Sequence, residues 1–191
     1  MNLLYKSTRN ADKTVTASQA ILKGLAEDGG LFVPTELPKL DVTMDELKTM
    51  SYQETAYAVM KQFLTDFTEE ELKHCINSAY DSKFDTEVIA PLVKVGDTYH
   101  LELFHGATIA FKDMALSILP HLMITSARKN QIKNDIVILT ATSGDTGKAA
   151  PRDHKPPGAA GTDRRKPLSD GSHLLPGHLC AHPVPRHGAG S

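Results

Sequence analysis

Cysteine is scarce in this sequence: there are two, Cys75 in a helical pattern and Cys180 near the end. Neither stands in a CxxC or Cys/His zinc spacing, so no metal site and no disulfide framework is expected. Strong charge is lacking too. The 21 Lys and Arg residues nearly balance the 23 Asp and Glu, for a formal net charge of −2. No field of that size attracts nucleic acid or an anionic membrane, which leaves a small molecule as the expected partner. No apolar run approaches the roughly 20 residues of a membrane span, and the opening "MNLLYKSTRN" lacks the apolar core of a signal peptide. A cytoplasmic chain without nucleic-acid or membrane partners is expected; nothing in the sequence bears on its oligomeric state. What is present, 40% hydrophobic and 23% charged residues over 191 positions, suits one soluble domain or a small domain with part of a second.

The first eighty or so residues read as helical. A Ser or Thr is followed three residues later by Glu in "TMDE" (Thr43, Glu46), "SYQE" (Ser51, Glu54) and "TEEE" (Thr68, Glu71). Each hydroxyl can accept from an exposed backbone N–H while the carboxylate reaches back to the cap residue's own N–H, so three short helices are predicted. Ala56, Tyr57, Val59, Met60, Phe63 and Leu64 share a face of the second, and Leu72, Cys75, Ile76 and Ala79 one of the third. An earlier helix is expected over "ASQAILKGLAE", stopped by the glycines of "DGG" at residues 28–30. "LFVP" then leaves in extended form.

From Pro91 the period changes. "LVKV" and "YHLEL" read as strands of a hairpin joined across "GDT". The loop "FHGAT" leads into a predicted helix of about five turns that must tolerate or kink at Pro120. "DIVILTA", residues 135–141, is a continuous apolar β-branched run of the kind buried parallel strands show. "TSGDTG" follows it, and "KAA" begins another helix. A strand, a glycine-bearing loop and a helix start make the α/β arrangement whose ligands bind at strand carboxyl ends. The fold class expected is α/β: a small helical N-terminal domain, residues 1–85, followed by the start of an open α/β domain, residues 86–150.

Residues 151–191 differ in kind. They hold seven of the eleven prolines and five of the nine histidines, with no Ile, Phe, Tyr or Met. Such a segment cannot offset roughly 1–2 kcal/mol of backbone entropy per ordered residue, and disorder is expected. The change falls where a helix has just begun, so a shift of reading frame near Ala150 is the expectation, checked by translating the other two frames.

Two stretches carry chemistry. An isolated lysine in an amphipathic helix is ordinarily solvated, but Lys112 follows Ile109, Ala110 and Phe111. An apolar approach favours the neutral amine that attacks a carbonyl. "TSGDTG" offers backbone N–H groups and the hydroxyls of Ser143 and Thr146 as an anion site; a helix cap by Ser143 or Thr142 explains it equally well. It is no nucleotide P-loop: Thr142 stands where glycine is needed, and Lys148 is followed by Ala149 rather than a hydroxyl. His105 could serve as acid, base or substrate contact, although loop histidines are more often only hydrogen-bonded. Asp113 lies in a helix's first turn, where the dipole favours a carboxylate.

"LELFHGATIAFKDMAL", with "ILTATSGDTGKAA" about thirty residues on and "YKSTRN" and "ILKGLAEDGGLFVP" before it, resembles the threonine synthases, pyridoxal-phosphate enzymes of fold type II (the tryptophan-synthase-β group). The likeness runs from Tyr5 to Ala150. One departure is Ala107, where many members have proline. The resemblance implies that Lys112 is catalytic and carries pyridoxal 5′-phosphate, that Asp145 lies by the cofactor, and that Thr142, Ser143 and Thr146 receive the substrate's α-carboxylate. It implies conversion of O-phospho-L-homoserine and water to L-threonine and phosphate. The family's glycine-rich loop for the cofactor phosphate is not recognisable in this chain. The alternatives are a related pyridoxal-phosphate lyase and a non-catalytic fragment acting as a binding module.

Overall fold

The computed structural model describes residues 2–140 and 179–184. The chain opens with three short strands, β1 (Tyr5–Ser7), β2 (Thr14–Val15) and β3 (Phe32–Pro34), with helix α1 (Ala17–Lys23) between the last two. They form an antiparallel sheet in the order β2-β1-β3, with Lys6 opposite both Thr14 and Val33. The beginning, expected to be helical apart from the extended "LFVP" where β3 lies, is thus corrected to a mixed one by β1 and β2. Strands of two and three residues are too short to show a period, and this sheet is made by side chains at its end. Ser7 Oγ donates to Asp28 Oδ1 at 2.7 Å, and Gly30 N donates to the same oxygen at 2.9 Å. A Cβ at position 30 would fall 2.1 Å from Ser7 Oγ and drive that hydroxyl off Asp28, so glycine is what lets the bond form.

Helices α2 (Met44–Leu47), α3 (Tyr52–Phe63) and α4 (Glu69–Ala79) begin where the capping boxes place them. Thr43, Ser51 and Thr68 each accept from the N3 backbone, and Glu46, Glu54 and Glu71 each accept from the cap N–H. A fourth box, Thr16 with Gln19, opens α1. That helix ends at Gly24 (φ 66°), earlier than the "DGG" turn, because the first glycine reached takes a positive φ and turns the chain tightly, Leu25 N donating to Lys23 O at 2.7 Å. Beyond α4 come the hairpin β4 (Leu92–Val95) and β5 (Thr98–Leu101), turned by Gly96 at φ 60° and Asp97. Both strands are exposed along their whole length.

The long helix expected after the loop is two. Helix α5 (Asp113–Leu116) stops at Ser117, and α6 (Leu119–Lys129) carries Pro120 in its first turn. There a missing N–H costs nothing, so the chain breaks before the proline rather than bending around it.

Helix α6 packs on α1 and α4. The core gathers Phe67, Leu72, Cys75, Ile76, Ala79, Tyr80, Phe84 and Ile89 with Ile118 and Leu122. Full burial of Leu72 and Ile76 contributes about 1.5–3 kcal/mol each. Polar ties fix the helix directions: Lys129 Nζ lies 2.9 Å from Glu71 Oε2, Asn130 donates to Ser18 Oγ at 2.9 Å, and the Tyr80 hydroxyl donates to Met114 O at 2.7 Å. Burial raises the Tyr80 pKa well above the ordinary range, keeping that donor protonated.

Strand β6 (Asp135–Thr140) pairs antiparallel with β7 (Leu179–Val184), Asp135 opposite Val184 and Thr140 opposite Leu179. A parallel partner was expected for β6, and residues 179–184 fall in the segment expected to be disordered. A lone strand presents a row of unpaired N–H and C=O groups, and β7 takes one side of it. Pro183 suits β7 to an edge position. Among the described residues no helix is long and apolar enough to cross a membrane.

Leu72→Ala is expected to lower the unfolding free energy by about 2–5 kcal/mol. Leu37→Ala, at a side chain 83% exposed, should leave it unchanged within about 0.5 kcal/mol. Urea denaturation followed by circular dichroism checks both.

Candidate functional site

Lys112 is the residue immediately before α5. Its carbonyl accepts from Ala115 N and Leu116 N, at 3.1 and 2.8 Å, so its backbone already belongs to the helical turn. The side chain is half-buried, with Nζ 5.8 Å from the centre of the Phe111 ring. It makes no ion pair among the described residues.

The carboxylate next to it is committed elsewhere. Asp113 is buried, and Thr108 donates to it twice, from its backbone N to Oδ2 at 2.7 Å and from Oγ1 to Oδ1 at 2.6 Å. Above the carboxylate lies Gly106, where a Cβ would sit 2.5 Å from the Asp113 Cβ and 2.6 Å from its Oδ2. The loop therefore closes onto Asp113 at a distance that only glycine permits. Closing it this tightly strains the chain. Ile109 stands at φ 60°, an outlier for a β-branched residue, and its N–H is taken by Gly106 O at 3.0 Å.

The start of the loop is fixed by His105. Its Nδ1 is 2.5 Å from Asp85 Oδ1 and its Nε2 is 2.9 Å from Glu102 Oε2. Asp85 N also donates to His105 O at 3.0 Å. Hydrogen bonds to Glu102 and then Asp85 raise the imidazole's pKa above its ordinary value.

Of the residues singled out from sequence, Lys112 is placed at a loop-to-helix junction. Thr142, Ser143, Asp145 and Thr146 lie outside the described residues. The dry approach expected from Ile109 and Phe111 is corrected: these side chains are 75% and 64% exposed. The left-handed turn at Ile109 and the short α5 direct them outward. Beyond the helix-dipole role expected of Asp113, its bonds to Thr108 are a finding of the structure. A signal existed, since Thr five residues before Asp at a helix start can fold back on it. Glu102 and His105 stand three apart, a spacing that brings side chains together only where the chain curls. Nothing in the sequence pairs either with Asp85. Among the described residues no group of three His, Cys, Asp or Glu side chains could hold a metal.

Residues 4–80 match the family described as the threonine synthase N terminus. The chain is 37% identical over 163 residues to threonine synthase from Saccharomyces cerevisiae, covering 77% of this chain and 32% of that protein. It is 38% identical over 151 residues to the Pseudomonas aeruginosa enzyme, covering 76% and 31%. Among solved structures, pyridoxal-phosphate-bound threonine synthase from Brucella melitensis superposes with a TM-score of 0.65 at 34% identity, over 78% of this chain and 32% of that one. The yeast threonine synthase gives 0.66 at 34% identity over 77% and 32%. The chain spans about a third of the length of the curated relatives it matches.

Gly106→Ala is expected to cost about 1–3 kcal/mol by overpacking against Asp113 and to speed hydrogen exchange of the Thr108 amide. Gly96→Ala meets open space, so only its positive φ should tell, at roughly 1–2 kcal/mol, with Thr108 exchange unchanged.

Proposed function

We propose that this chain belongs to the threonine synthase family, as the match of its residues 4–80 to the family's N terminus supports, and that it carries the cofactor lysine and the substrate-carboxylate loop of that enzyme. The reaction is conversion of O-phospho-L-homoserine and water to L-threonine and phosphate, in the cytoplasm, with small molecules as partners. The observation that carries this reading is Lys112 itself. It is a half-buried amine without a counter-ion among the described residues, at the head of a helix, and its neighbouring carboxylate is occupied by Thr108.

The described residues fit pyridoxal 5′-phosphate in one respect. A carbonyl group needs an amine that is reachable and not neutralised by an ion pair, and the engagement of Asp113 with Thr108 leaves Lys112 such an amine. When bound, the cofactor supplies the electron sink that lets a proton leave the substrate's Cα. Lys112 would hold the cofactor and, once freed, move that proton on its Nζ. Thr142, Ser143 and Thr146 would donate to the substrate's α-carboxylate, and Asp145 would stand by the cofactor.

The domain limits belong to the same proposal: 1–85 as the N-terminal domain, 86–150 as the beginning of the catalytic domain, and 151–191 as a segment in a shifted frame. Catalysis needs the lysine, the carboxylate loop, a phosphate cradle and a closed pocket held to within about 0.5 Å. The chain recognisably supplies the first two. Ile109 and Phe111, exposed beside Lys112, leave water access to the amine, and removing water is what strengthens electrostatics in such sites. Absence of turnover is therefore the expected behaviour of the 191-residue chain.

Borohydride reduction with pyridoxal phosphate, on a protein whose frame is restored after Ala150, should place the pyridoxyl group on Lys112. Label spread over surface lysines, or concentrated on Lys148, would sink the assignment. Phosphate release from O-phospho-L-homoserine, at matched cofactor concentration, should be seen for the restored protein and be absent for the short chain. Turnover by the short chain that vanishes in Lys112→Ala would overturn the second expectation.

A further inference from the structure

We propose that His105, clamped between Asp85 and Glu102, is a positioning residue that sets the direction of Lys112 through the loop they bracket. The proposal rests on the reading of Lys112 given above.

The clamp joins three segments: Asp85 from the stretch after α4, Glu102 just past the end of β5, and His105 at the head of the loop. The His105 side chain is only 14% exposed, and the Phe104 ring stacks on it at 4.6 Å between centroids. Both ring nitrogens face carboxylate oxygens. Carboxylates only accept, so the ring donates to both only when it carries two protons. A neutral ring would turn a lone pair toward one of the carboxylates and lose that bond. Asp85 and Glu102 are the charged groups set against the imidazole, and their hydrogen bonds are what raise its pKa.

From His105 the constraint passes along the chain without slack. Gly106 is pressed on Asp113, Gly106 O holds Ile109 N, and Asp113 holds Thr108 at two points. Lys112 adjoins Asp113 and Asp113 N donates to Ala110 O at 3.0 Å. The left-handed Ile109 lies between the two anchors. Strain of this sort persists only where surrounding contacts over-determine it, and the Ile109 side chain, being exposed, contributes no such contact. His105 holds one end of the strained loop and Asp113 the other. Releasing the first lets Ile109 relax and frees the residues leading to Lys112.

The sign of the pH dependence follows. A histidine whose pKa is raised on folding contributes fully below its unfolded value, about 6.5, and its contribution is lost as pH rises through the folded value. The loop is thus fully fixed below about pH 6.5 and loosens as pH rises through the folded His105 value, which lies above it.

The test uses the 191-residue chain. The His105 ring is titrated by NMR, exchange of the Thr108 amide is followed over the same pH range, and lysines are labelled with pyridoxal phosphate and borohydride. Lys112 labelling is expressed relative to the other lysines in the same digest, which cancels the general rise of amine reactivity with pH. The expected result is that Thr108 protection and the Lys112 preference fall together at the His105 midpoint. In His105→Gln both should be low at every pH, with Lys112 at parity with surface lysines while helical circular dichroism is retained. Glu102→Gln should move the midpoint to lower pH. Thr108 protection that ignores the His105 titration overturns the clamp, whatever Lys112 does. Protection that follows the titration while Lys112 never exceeds the other lysines leaves the clamp as a loop anchor and overturns its direction of Lys112, whereas the cofactor role of Lys112 stands or falls with labelling of the frame-restored protein.

Discussion

The packing of α6 across α1 and α4 is the constraint on which the rest of the described structure depends. Ile118 and Leu122 enter the cluster built by Leu72, Ile76 and Ala79, and Cys75 Sγ meets Thr125 Oγ1 at 3.5 Å within it. Burying these side chains supplies most of the attraction, while the Lys129–Glu71 and Asn130–Ser18 contacts choose one alignment among the apolar ones. With α6 fixed, α5 is fixed through the Tyr80 hydroxyl on Met114 O, and Lys112 begins α5. The candidate site thus takes its bearings from the N-terminal helices, although none of their side chains carries its chemistry.

A second principle organises the loop. Its polar groups are satisfied by its own members and near neighbours rather than by a sheet: Thr108 by Asp113, Ile109 by Gly106, His105 by Asp85 and Glu102. This accounting makes an exposed loop stiff. It also separates Lys112 from the acid beside it in sequence. Adjacent Lys and Asp would ordinarily invite an ion pair, and here the carboxylate is spent on backbone and hydroxyl.

Legibility in the sequence followed the range of each interaction. The capping boxes at Thr43, Ser51 and Thr68 are four-residue signals and were read to the residue. The hairpin turned at Gly96 was readable for the same reason. Strands β1 and β2 were missed because the Ser7–Asp28 and Gly30–Asp28 bonds that close their sheet span or depend on contacts 21 residues apart. The break before α6 turned on whether Pro120 sits inside a helix or starts one, a choice that packing of Ile118 decides. At the site, Lys112 was found by its position after a strand and before a helix. Asp85 could not be found, since it reaches His105 across 20 residues of chain that carry no mark of the pairing.

The shared core has a consequence for synthesis. Cys75, Ile76 and Ala79 are completely or almost completely buried in a core that Ile118 and Leu122 help to close. At about 5–20 residues per second on the ribosome, the roughly forty residues between take a few seconds to appear. During that interval α3 can cover part of the apolar face of α4, but the part that α6 packs on is exposed, and a nascent chain of this length offers a sticky surface to chaperones and to its neighbours on the same message. The same helix that orients the lysine loop is therefore the one that ends this exposure.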